Sequence, residues 1–219
     1  MALAIFDLDN TLLQGDSDHA WGQFLVDKDL VDVAEYQRAN DYFYQQYLQG
    51  GLDIHEYLAF ALKPLSEHSL EELQQWHQDF MQEVIEPMIL PAAEALIEKH
   101  RQQGDTLLII TATNGFVTHP IAERLGIEHI LASEPEFIDD RYTGKVAGIP
   151  CFQEGKVTRL EDWLDSRAID MKGSYFYSDS HNDLPLLNRV DYPVAVDADD
   201  ILHAHALQQG WPSISLRDQ

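Results

Sequence analysis

The chain has 219 residues, of which 45% are hydrophobic and 24% are charged, so it holds enough apolar side chains for a packed core. Its 14 Lys and Arg against 38 Asp and Glu give a formal net charge of −24, and such a surface repels nucleic acids and anionic membranes. With one cysteine, Cys151, no basic leader and no apolar run near about 20 residues, we expect a cytoplasmic protein without an internal disulfide or a membrane span.

The first half of the chain combines one strand with a long helical zone. A short apolar strand runs into the acidic segment Asp7-Leu8-Asp9-Asn10-Thr11, and residues from about 16 to 86 follow a helical pattern. Three capping patterns, in which Asp or Ser precedes Glu by three positions, indicate helix starts in this zone: Asp32 with Glu35, Asp53 with Glu56, and Ser69 with Glu72. We therefore expect about four helices, enough for a small bundle.

From about residue 90 onwards, short apolar strands alternate with helices. The pattern predicts strands at 107–110, 130–132, 175–177 and 193–196, helices at 91–104, 117–125 and 157–164, and a hairpin near 136–144. Apolar strands separated by helices are typical of a parallel sheet that is covered on both faces. The fold class is therefore α/β, a doubly wound, Rossmann-like parallel sheet into which a helical bundle is inserted after the first strand. We expect residues 1–14 plus 87–219 to form the sheet domain and residues 15–86 the helical one.

Polar residues follow three of the predicted strands directly. Asp7 and Asp9 follow the first strand, Thr111 follows the strand at 107–110, and Asp179 and Asp183 follow the strand at 175–177. Because ligands of a doubly wound sheet bind beyond the carboxyl ends of its strands, we expect these side chains to converge at one edge.

So many carboxylates in one place require positive charge. Like-charged carboxylates repel each other unless they are protonated or held by a cation, and a hard divalent ion that keeps several waters suggests Mg²⁺. Lys156, at the start of a predicted helix, is a candidate for a second cation. Turn solvation and helix capping account for one such motif alone, but three motifs at successive strand ends favour a metal site.

These motifs resemble those of the haloacid dehalogenase-like hydrolases. The segment from Asp7 to Thr11 matches the family's Asp-x-Asp-x-Thr motif, and Thr111 matches the Ser or Thr that ends a strand in its second motif. Lys156 fits the third motif, and the segment from Asp179 to Asp183 fits the fourth, Asp-x-x-x-Asp. The inserted helices resemble the C1 cap of the phosphoserine-phosphatase-like branch (subfamily IB), although Ser178 stands where that branch usually has Gly.

The resemblance implies a phosphatase with an aspartyl-phosphate intermediate. In that reading Asp7 is the nucleophile, ionised near its ordinary pKa of about 3.9, and Asp9 is the general acid and base. The residues that the resemblance assigns to the phosphate are Thr111, Lys156 and the backbone near Ala112. Those that it assigns to Mg²⁺ are Asp7, Asp9 through its backbone carbonyl, Asp179 and Asp183. The implied partner is a small phosphorylated metabolite, and no obligate protein partner is evident.

The substrate is expected to carry an amine beside its phosphate. Asp16 or Asp18, just after the first motif, suits a substrate ammonium, although Ser17 or Asp18 also suits the cap of the first helix. The segment from residue 6 to 19 resembles a bacterial subgroup near phosphoserine phosphatase, some members of which are regarded as histidinol-phosphate phosphatases. The resemblance therefore implies histidinol phosphate as the first candidate substrate and phosphoserine as the second.

Two rival functions remain open at this stage. A phosphomutase or phosphotransferase of the same family keeps both aspartates of the first motif, and a non-catalytic protein keeps the fold to bind a phosphorylated ligand. The intact set of acidic and basic residues argues against the second, because binding alone does not require a nucleophile paired with an acid and base.

Overall fold

The structure, a computed structural model, describes residues 2–217 and is built around a seven-stranded sheet. The strand order is β4-β3-β2-β1-β5-β6-β7, and every neighbouring pair is parallel except the antiparallel pair β3–β4. The strands are β1 (Leu3–Phe6), β2 (Thr106–Asn114), β3 (His129–Ile138), β4 (Arg141–Ala147), β5 (Tyr175–Ser178), β6 (Tyr192–Val196) and β7 (Ser213–Ile214). The predicted parallel α/β fold is confirmed.

Helices cover both faces of this sheet, because alternate residues of each central strand point to opposite sides. In β1, Ala4 and Phe6 belong to one hydrophobic core, and Leu3 and Ile5 belong to the other. The helices that follow the insertion are α7 (Pro91–Gln103), α8 (Gly115–Arg124), α9 (Glu154–Arg167), α10 (Leu184–Leu187) and α11 (Asp200–Gln209). None of the helices in residues 2–217 combines the length and apolar character needed to cross a membrane.

The segment between β1 and α7 is helical, as expected, but contains more breaks than four helices require. Its helices are α1 (Ser17–Asp27), α2 (Val33–Leu48), α3 (Ile54–Ala61), α4 (Lys63–Glu67), α5 (Leu70–Phe80) and α6 (Glu86–Met88), with one π-helical turn at Met81–Ile85. The three expected caps are confirmed, since the side chains of Asp32, Asp53 and Ser69 each accept a backbone N–H of the following helix. Only Ser69 and Glu72 form the full reciprocal capping box.

The chain leaves the sheet and returns to it along two adjacent segments. Leu13 pairs with Ile89 in an antiparallel bridge, and Gln14 N donates to Met88 O at 2.7 Å. This crossing lies beside the boundaries expected at residues 14/15 and 86/87. We propose that residues 15–86 form a separate helical domain, called the helical insertion below.

Two strands are longer than their apolar cores suggested. The strand expected at 107–110 extends to Asn114 after an irregularity in its pairing with β3, so Thr111 lies within β2 rather than after it. The end of β3 pairs with β4 as the predicted hairpin, whose turn residues Asp139 and Asp140 both have positive φ, at 50° and 59°. Turns with two such residues match the twist of paired strands. Tyr142 and Val146 of β4 pack against a cluster of leucines in the helical insertion.

The turn between α2 and α3 touches the sheet domain at a glycine. Gly50 has a φ of 70°, and a Cβ placed there would lie 2.7 Å from Nε2 of His181. The His181 ring cannot move away freely, because its Nδ1 bonds to Asp199 Oδ2 at 2.7 Å. Beside it, Asn182 Nδ2 donates to Tyr47 O at 3.3 Å. Glycine is therefore required here for conformation and for space.

Replacing Gly50 separates these two requirements. We expect Gly50→Ala to lower the free energy of unfolding by about 1–3 kcal/mol more than Gly210→Ala, as measured by urea denaturation. Gly210 has nearly the same φ, 71°, but a Cβ there meets no atom within 4 Å, so it reports the backbone penalty alone. His181→Ala in the Gly50→Ala background removes the ring that the new Cβ meets. The double variant should therefore regain the extra stability that Gly50→Ala loses relative to Gly210→Ala, measured as a coupling energy between the two positions. Equal losses at the two glycines would contradict the close contact.

Candidate active site

The structure brings the predicted polar residues together at the carboxyl edge of the sheet. Asp7 and Asp9 follow β1, Thr111 lies near the end of β2, and Asp179 and Asp183 follow β5. These are the three central strands, because β1 lies between β2 and β5. Parallel pairing therefore aligns the ends of all three strands at one point.

Lys156 joins two of these carboxylates. It lies in the first turn of α9, is only 3% exposed, and places Nζ 2.8 Å from Asp7 Oδ1 and 2.7 Å from Asp183 Oδ1. Burial disfavours its positive charge, but the charges of Asp183 and Asp7 outweigh this and hold the pKa of Lys156 above its ordinary value. Ser178 Oγ also donates to Asp183 Oδ2 at 2.7 Å. Ser178, the departure from the family pattern, thus supports the site directly.

Asp7 titrates differently from the sequence expectation. Its backbone N–H donates to Tyr177 O at 2.9 Å, which holds it at the end of β1. Burial, opposed by the charge of Lys156 and reinforced by that of Asp183, raises the pKa of Asp7 to about 7. The assumption that Asp7 keeps its ordinary pKa near 3.9 is therefore wrong for the chain alone. A further cation at this carboxylate would lower the pKa again.

Both oxygens of Asp9 accept hydrogen bonds. Ser17 N donates to Oδ1 at 2.6 Å, and Thr113 Oγ1 donates to Oδ2 at 2.7 Å, while Thr111 Oγ1 lies 3.5 Å from Oδ2. Burial and the charge of Asp16 raise the pKa of Asp9 to about 6 against these hydrogen bonds. The sequence prediction missed Thr113. The two-residue period of a strand places it on the same face as Thr111 and was the signal that could have identified it.

Asp179 has a hydroxyl partner but no cationic partner among residues 2–217. Thr11 Oγ1 donates to Asp179 Oδ1 at 3.0 Å and accepts the Asp179 backbone N–H at 3.0 Å. Burial, followed by the charges of Asp7 and Asp183, raises the pKa of Asp179 well above its ordinary value. Within residues 2–217, none of the ion pairs involves Asp179. Its carboxylate therefore needs a proton or an added cation.

This arrangement fits a magnesium ion better than a softer metal. No cluster of three or more His, Cys, Asp or Glu side chains in the described chain is arranged to hold a metal ion. Mg²⁺ does not need one, since it is commonly bound by one or two carboxylates, water and substrate oxygens. Asp7 and Asp179 are two close carboxylates with one buried ammonium group beside Asp7, so the site has excess negative charge and only oxygen donors.

The helical insertion closes the other side of the site. Asp16 caps α1 by accepting the backbone N–H of His19 at 2.8 Å, so the expectation that Ser17 or Asp18 forms this cap is wrong. Burial raises the pKa of Asp16. Asp18, in the first turn of α1, accepts from Asn114 Nδ2 at 3.1 Å and lies beside the Tyr57 hydroxyl. Burial, with the charge of Asp16, raises the pKa of Asp18 to about 8.

A cavity between the insertion and the sheet edge contains the predicted site residues Asp7, Asp9, Asp16, Thr111 and Ala112. The other lining residues include Asp18 and His19, and the rest are apolar, aromatic or neutral polar. The residues that complete the described lining are Asn40, Phe43, Tyr44, Tyr47, Leu52, Ile54, Tyr57 and Thr113. Neither lysine nor arginine is among the lining residues described, so the cavity combines negative charge with aromatic surface. The aromatic residues of this wall come from α2 and α3 of the helical insertion.

Comparisons with known proteins agree with the motifs. A model of the haloacid dehalogenase-like hydrolases matches residues 4–188. A protein of Neisseria meningitidis serogroup C named histidinol-phosphatase is 47% identical over 219 residues, which cover 98% of this chain and 99% of that protein.

Solved structures show the same fold. A Bordetella pertussis Tohama I protein of unknown function is 42% identical, with a TM-score of 0.93 and 98% of each chain covered. A phosphoserine phosphatase, solved as a phospho-aspartyl intermediate analogue, has a TM-score of 0.71 at 17% identity, with 100% of this chain and 94% of that chain covered. At that identity the second likeness concerns the fold alone.

Proposed function

Because this chain belongs to the haloacid dehalogenase-like hydrolases and is a phosphatase of that family, we propose that it hydrolyses a small phosphomonoester bearing an amine, first histidinol phosphate and second phosphoserine. The observation that carries this choice is the acidic and aromatic cavity beside Asp7, whose lining within residues 2–217 includes no lysine or arginine. Asp16 and Asp18 suit a positively charged leaving group. They disfavour phosphoserine, whose carboxylate would face them without a cation. The name of the Neisseria relative supports the same order of candidates.

The first half of the proposed reaction transfers the phosphoryl group to Asp7. Lys156 Nζ is bonded to Oδ1 of this carboxylate, which leaves Oδ2 to attack phosphorus. As the new bond between Oδ2 and phosphorus forms, the bond from phosphorus to the leaving oxygen breaks. As this bond breaks, Asp9 gives its proton to the leaving oxygen, so the amino alcohol departs with an uncharged hydroxyl group. A carboxyl group with a pKa of about 6 is partly protonated at neutral pH, which suits this role.

The second half regenerates the enzyme. Asp9, now ionised, takes a proton from a water molecule as the water oxygen attacks phosphorus. The bond from phosphorus to Asp7 breaks, and inorganic phosphate is released with Asp9 protonated again. Ser17 N and Thr113 Oγ1 fix the orientation of Asp9 through both steps. Thr111 Oγ1, the Ala112 backbone and Lys156 are assigned to the non-transferred phosphoryl oxygens, whose charge they balance.

The residues that would hold Mg²⁺ are Asp7, Asp179 and the Asp9 backbone carbonyl, with Asp183 acting through water. When bound, the ion supplies positive charge to the phosphoryl oxygens and neutralises part of the acidic site. Asp183 keeps Lys156 in place beside Asp7 through their 2.7 Å ion pair. Thr11 orients Asp179 toward the same edge by two hydrogen bonds.

The proposed role of Asp9 has a signature that depends on the leaving group. We expect Asp9→Asn to lower kcat about 10²- to 10⁴-fold for an alkyl phosphate, whose alkoxide needs a proton to depart. Nitrophenolate departs without a proton, so with a nitrophenyl phosphate the rate of phosphoenzyme formation should fall much less in Asp9→Asn. Rapid-quench measurement of the burst of nitrophenol checks this. Equal losses of that burst and of alkyl ester cleavage would contradict general acid catalysis.

The substrate proposal is tested by phosphate release from a panel of phosphomonoesters, with Mg²⁺ and with EDTA. The panel contains histidinol phosphate, phosphoserine, O-phosphoethanolamine, sugar phosphates, nucleotides and an aryl phosphate. We expect release to require Mg²⁺ and kcat/KM to be highest for histidinol phosphate. A higher value for phosphoserine would reject the preferred substrate. Transfer between sugar positions with little net release would favour a phosphomutase, and binding without turnover would favour a non-catalytic protein.

A further inference from the structure

We propose that Asp18, held by Asn114 in the wall of the cavity, binds the positively charged ring nitrogen at the far end of the leaving group and so determines specificity. This inference rests on the proposed function and deepens it. It assigns the ammonium group of the substrate to Asp16 and the heteroaromatic ring to Asp18. The ligand class is therefore a phosphate ester with two separate cationic or protonatable nitrogen groups.

Asp18 is not needed to cap the helix on which it lies. Asp16 occupies the N-cap position of α1 and accepts the His19 N–H, whereas the Asp18 side chain leaves the helix and bonds to Asn114 Nδ2 at 3.1 Å. Asn114 is itself fixed, because its Oδ1 accepts the Val117 N–H at the start of α8. The carboxylate is thus positioned by the sheet domain, not by its own helix.

The partners of Asp18 are neutral, although the group is only 7% exposed. Asn114 supplies a hydrogen bond at 3.1 Å, the Tyr57 hydroxyl lies beside the carboxyl group, and none of the ion pairs in the described chain includes Asp18. Ionising a buried carboxyl group without a positive partner costs free energy. A ligand that brings a positive charge would remove this cost, and Asp18 is one of the residues that line the cavity.

Asp16 and Asp18 occupy different places in the cavity wall. Asp16 is half-buried and follows Gly15, whose carbonyl accepts the Asn10 N–H beside the reacting carboxylates at 2.8 Å. Asp18 is buried and is bonded to Asn114 at the end of β2. Asp16 is therefore assigned to the ligand group next to the phosphate, and Asp18 to the group farther along the ligand. In an amino alcohol phosphate the amine is close to the ester, and a ring on the same carbon chain reaches farther.

Aromatic side chains beside Asp18 suit a flat ring. Phe43 and Tyr57 both line the cavity, with their ring centroids 5.5 Å apart in an edge-to-face arrangement. Tyr44 stacks on His19 at 4.5 Å on the same wall. Aromatic faces attract cations and planar rings, so an imidazolium group gains from these residues as well as from Asp18.

The test compares two amine-bearing substrates that differ in the ring. Histidinol phosphate carries an ammonium group and an imidazole, whereas O-phosphoethanolamine carries the ammonium group alone. For Asp18→Asn we expect the ratio of kcat/KM for histidinol phosphate to that for O-phosphoethanolamine to fall at least about tenfold, chiefly through KM. Tyr57→Phe, which removes the hydroxyl beside Asp18 but keeps its charge, should lower the same ratio less. Asp27→Asn, at the exposed end of the same helix, should leave the ratio unchanged.

Binding of the product provides a readout without catalysis. We expect titration calorimetry to show at least about tenfold weaker binding of histidinol to Asp18→Asn than to the wild type. Suppose that the wild type prefers histidinol phosphate and that Asp18→Asn keeps both the kcat/KM ratio and the affinity for histidinol. That result would overturn the role of Asp18 and leave the proposed substrate standing. A wild type without that preference would overturn the proposed substrate and this inference with it. Equal losses on both substrates would show that Asp18 has only a structural role.

Discussion

Asp7→Asn is expected to lower phosphate release by at least about four orders of magnitude while the protein stays folded. The proposed nucleophile is a carboxylate oxygen, and an amide oxygen in the same position does not form a stable bond to phosphorus. Asparagine has the same shape, and its carbonyl oxygen can still accept from Lys156, which now bonds to Asp7 at 2.8 Å. The measurement is steady-state phosphate release, with far-UV circular dichroism and urea unfolding to monitor the fold.

Two controls separate chemistry from binding for this variant. Asp162→Asn changes an exposed acid on α9 and should retain full activity. Rapid quench with ³²P-labelled substrate should trap a labelled protein in the wild type and none in Asp7→Asn. Turnover that survived Asp7→Asn would exclude the aspartyl-phosphate route, whatever the substrate.

Lys156→Met is expected to lower the free energy of unfolding by about 3–5 kcal/mol at neutral pH, an effect of unusual size for one residue. The lysine is buried and pairs with Asp7 and Asp183, so its loss leaves two buried carboxylates without their cation. Urea denaturation of the variant without added metal gives the loss. Lys172→Met, at an exposed lysine, should stay within about 0.5 kcal/mol of the wild type.

A second substitution and a change of pH test the cause of this loss. Asp183→Asn in the Lys156→Met background should recover part of the stability by removing one of the unpaired carboxylates. Without Lys156 the pKa of Asp7 rises further above its ordinary 3.8, since the lysine charge lowers it in the wild type. The folded state of the variant then binds protons more tightly than the unfolded chain. Its stability should therefore fall, relative to the wild type, as the pH rises above about 7, where Asp7 has lost its proton in the folded wild type but keeps it in the folded variant. A loss that stayed constant as the pH rose above this value would contradict the charge explanation.

Local patterns in the sequence determined the main elements of the fold. The caps at Asp32, Asp53 and Ser69 and the αL glycine Gly104 at the end of α7 depend on contacts within a few residues, so they are visible in the chain itself. Apolar strand cores were also visible, because a strand buried on both faces is uniformly apolar. Their ends were not, and Asn114 lies four residues beyond the expected end of β2.

The sequence also determined which residues meet at the sheet edge. Asp7, Asp9 and Asp179 directly follow parallel strands, and the topology rule for such sheets then brings their side chains to one place. Asp16 and Asp18 were recognised as candidates for contact with an amine for the same local reason, since they follow the first motif. Nothing in that pattern distinguished the two roles.

Only the tertiary structure decided what surrounds these groups. It places Lys156 between Asp7 and Asp183, Thr113 on Asp9 and Asn114 on Asp18, contacts that join residues from 27 to 149 positions apart. It also raises the pKa of Asp7 to about 7, where its ordinary value predicts full ionisation at neutral pH. Burial and long-range contact leave no periodic signal in a single sequence. For that reason the chain by itself identified the carboxylates that we propose to react, while the packing of the helical insertion on the sheet decided their surroundings and the shape of the cavity proposed to bind the leaving group.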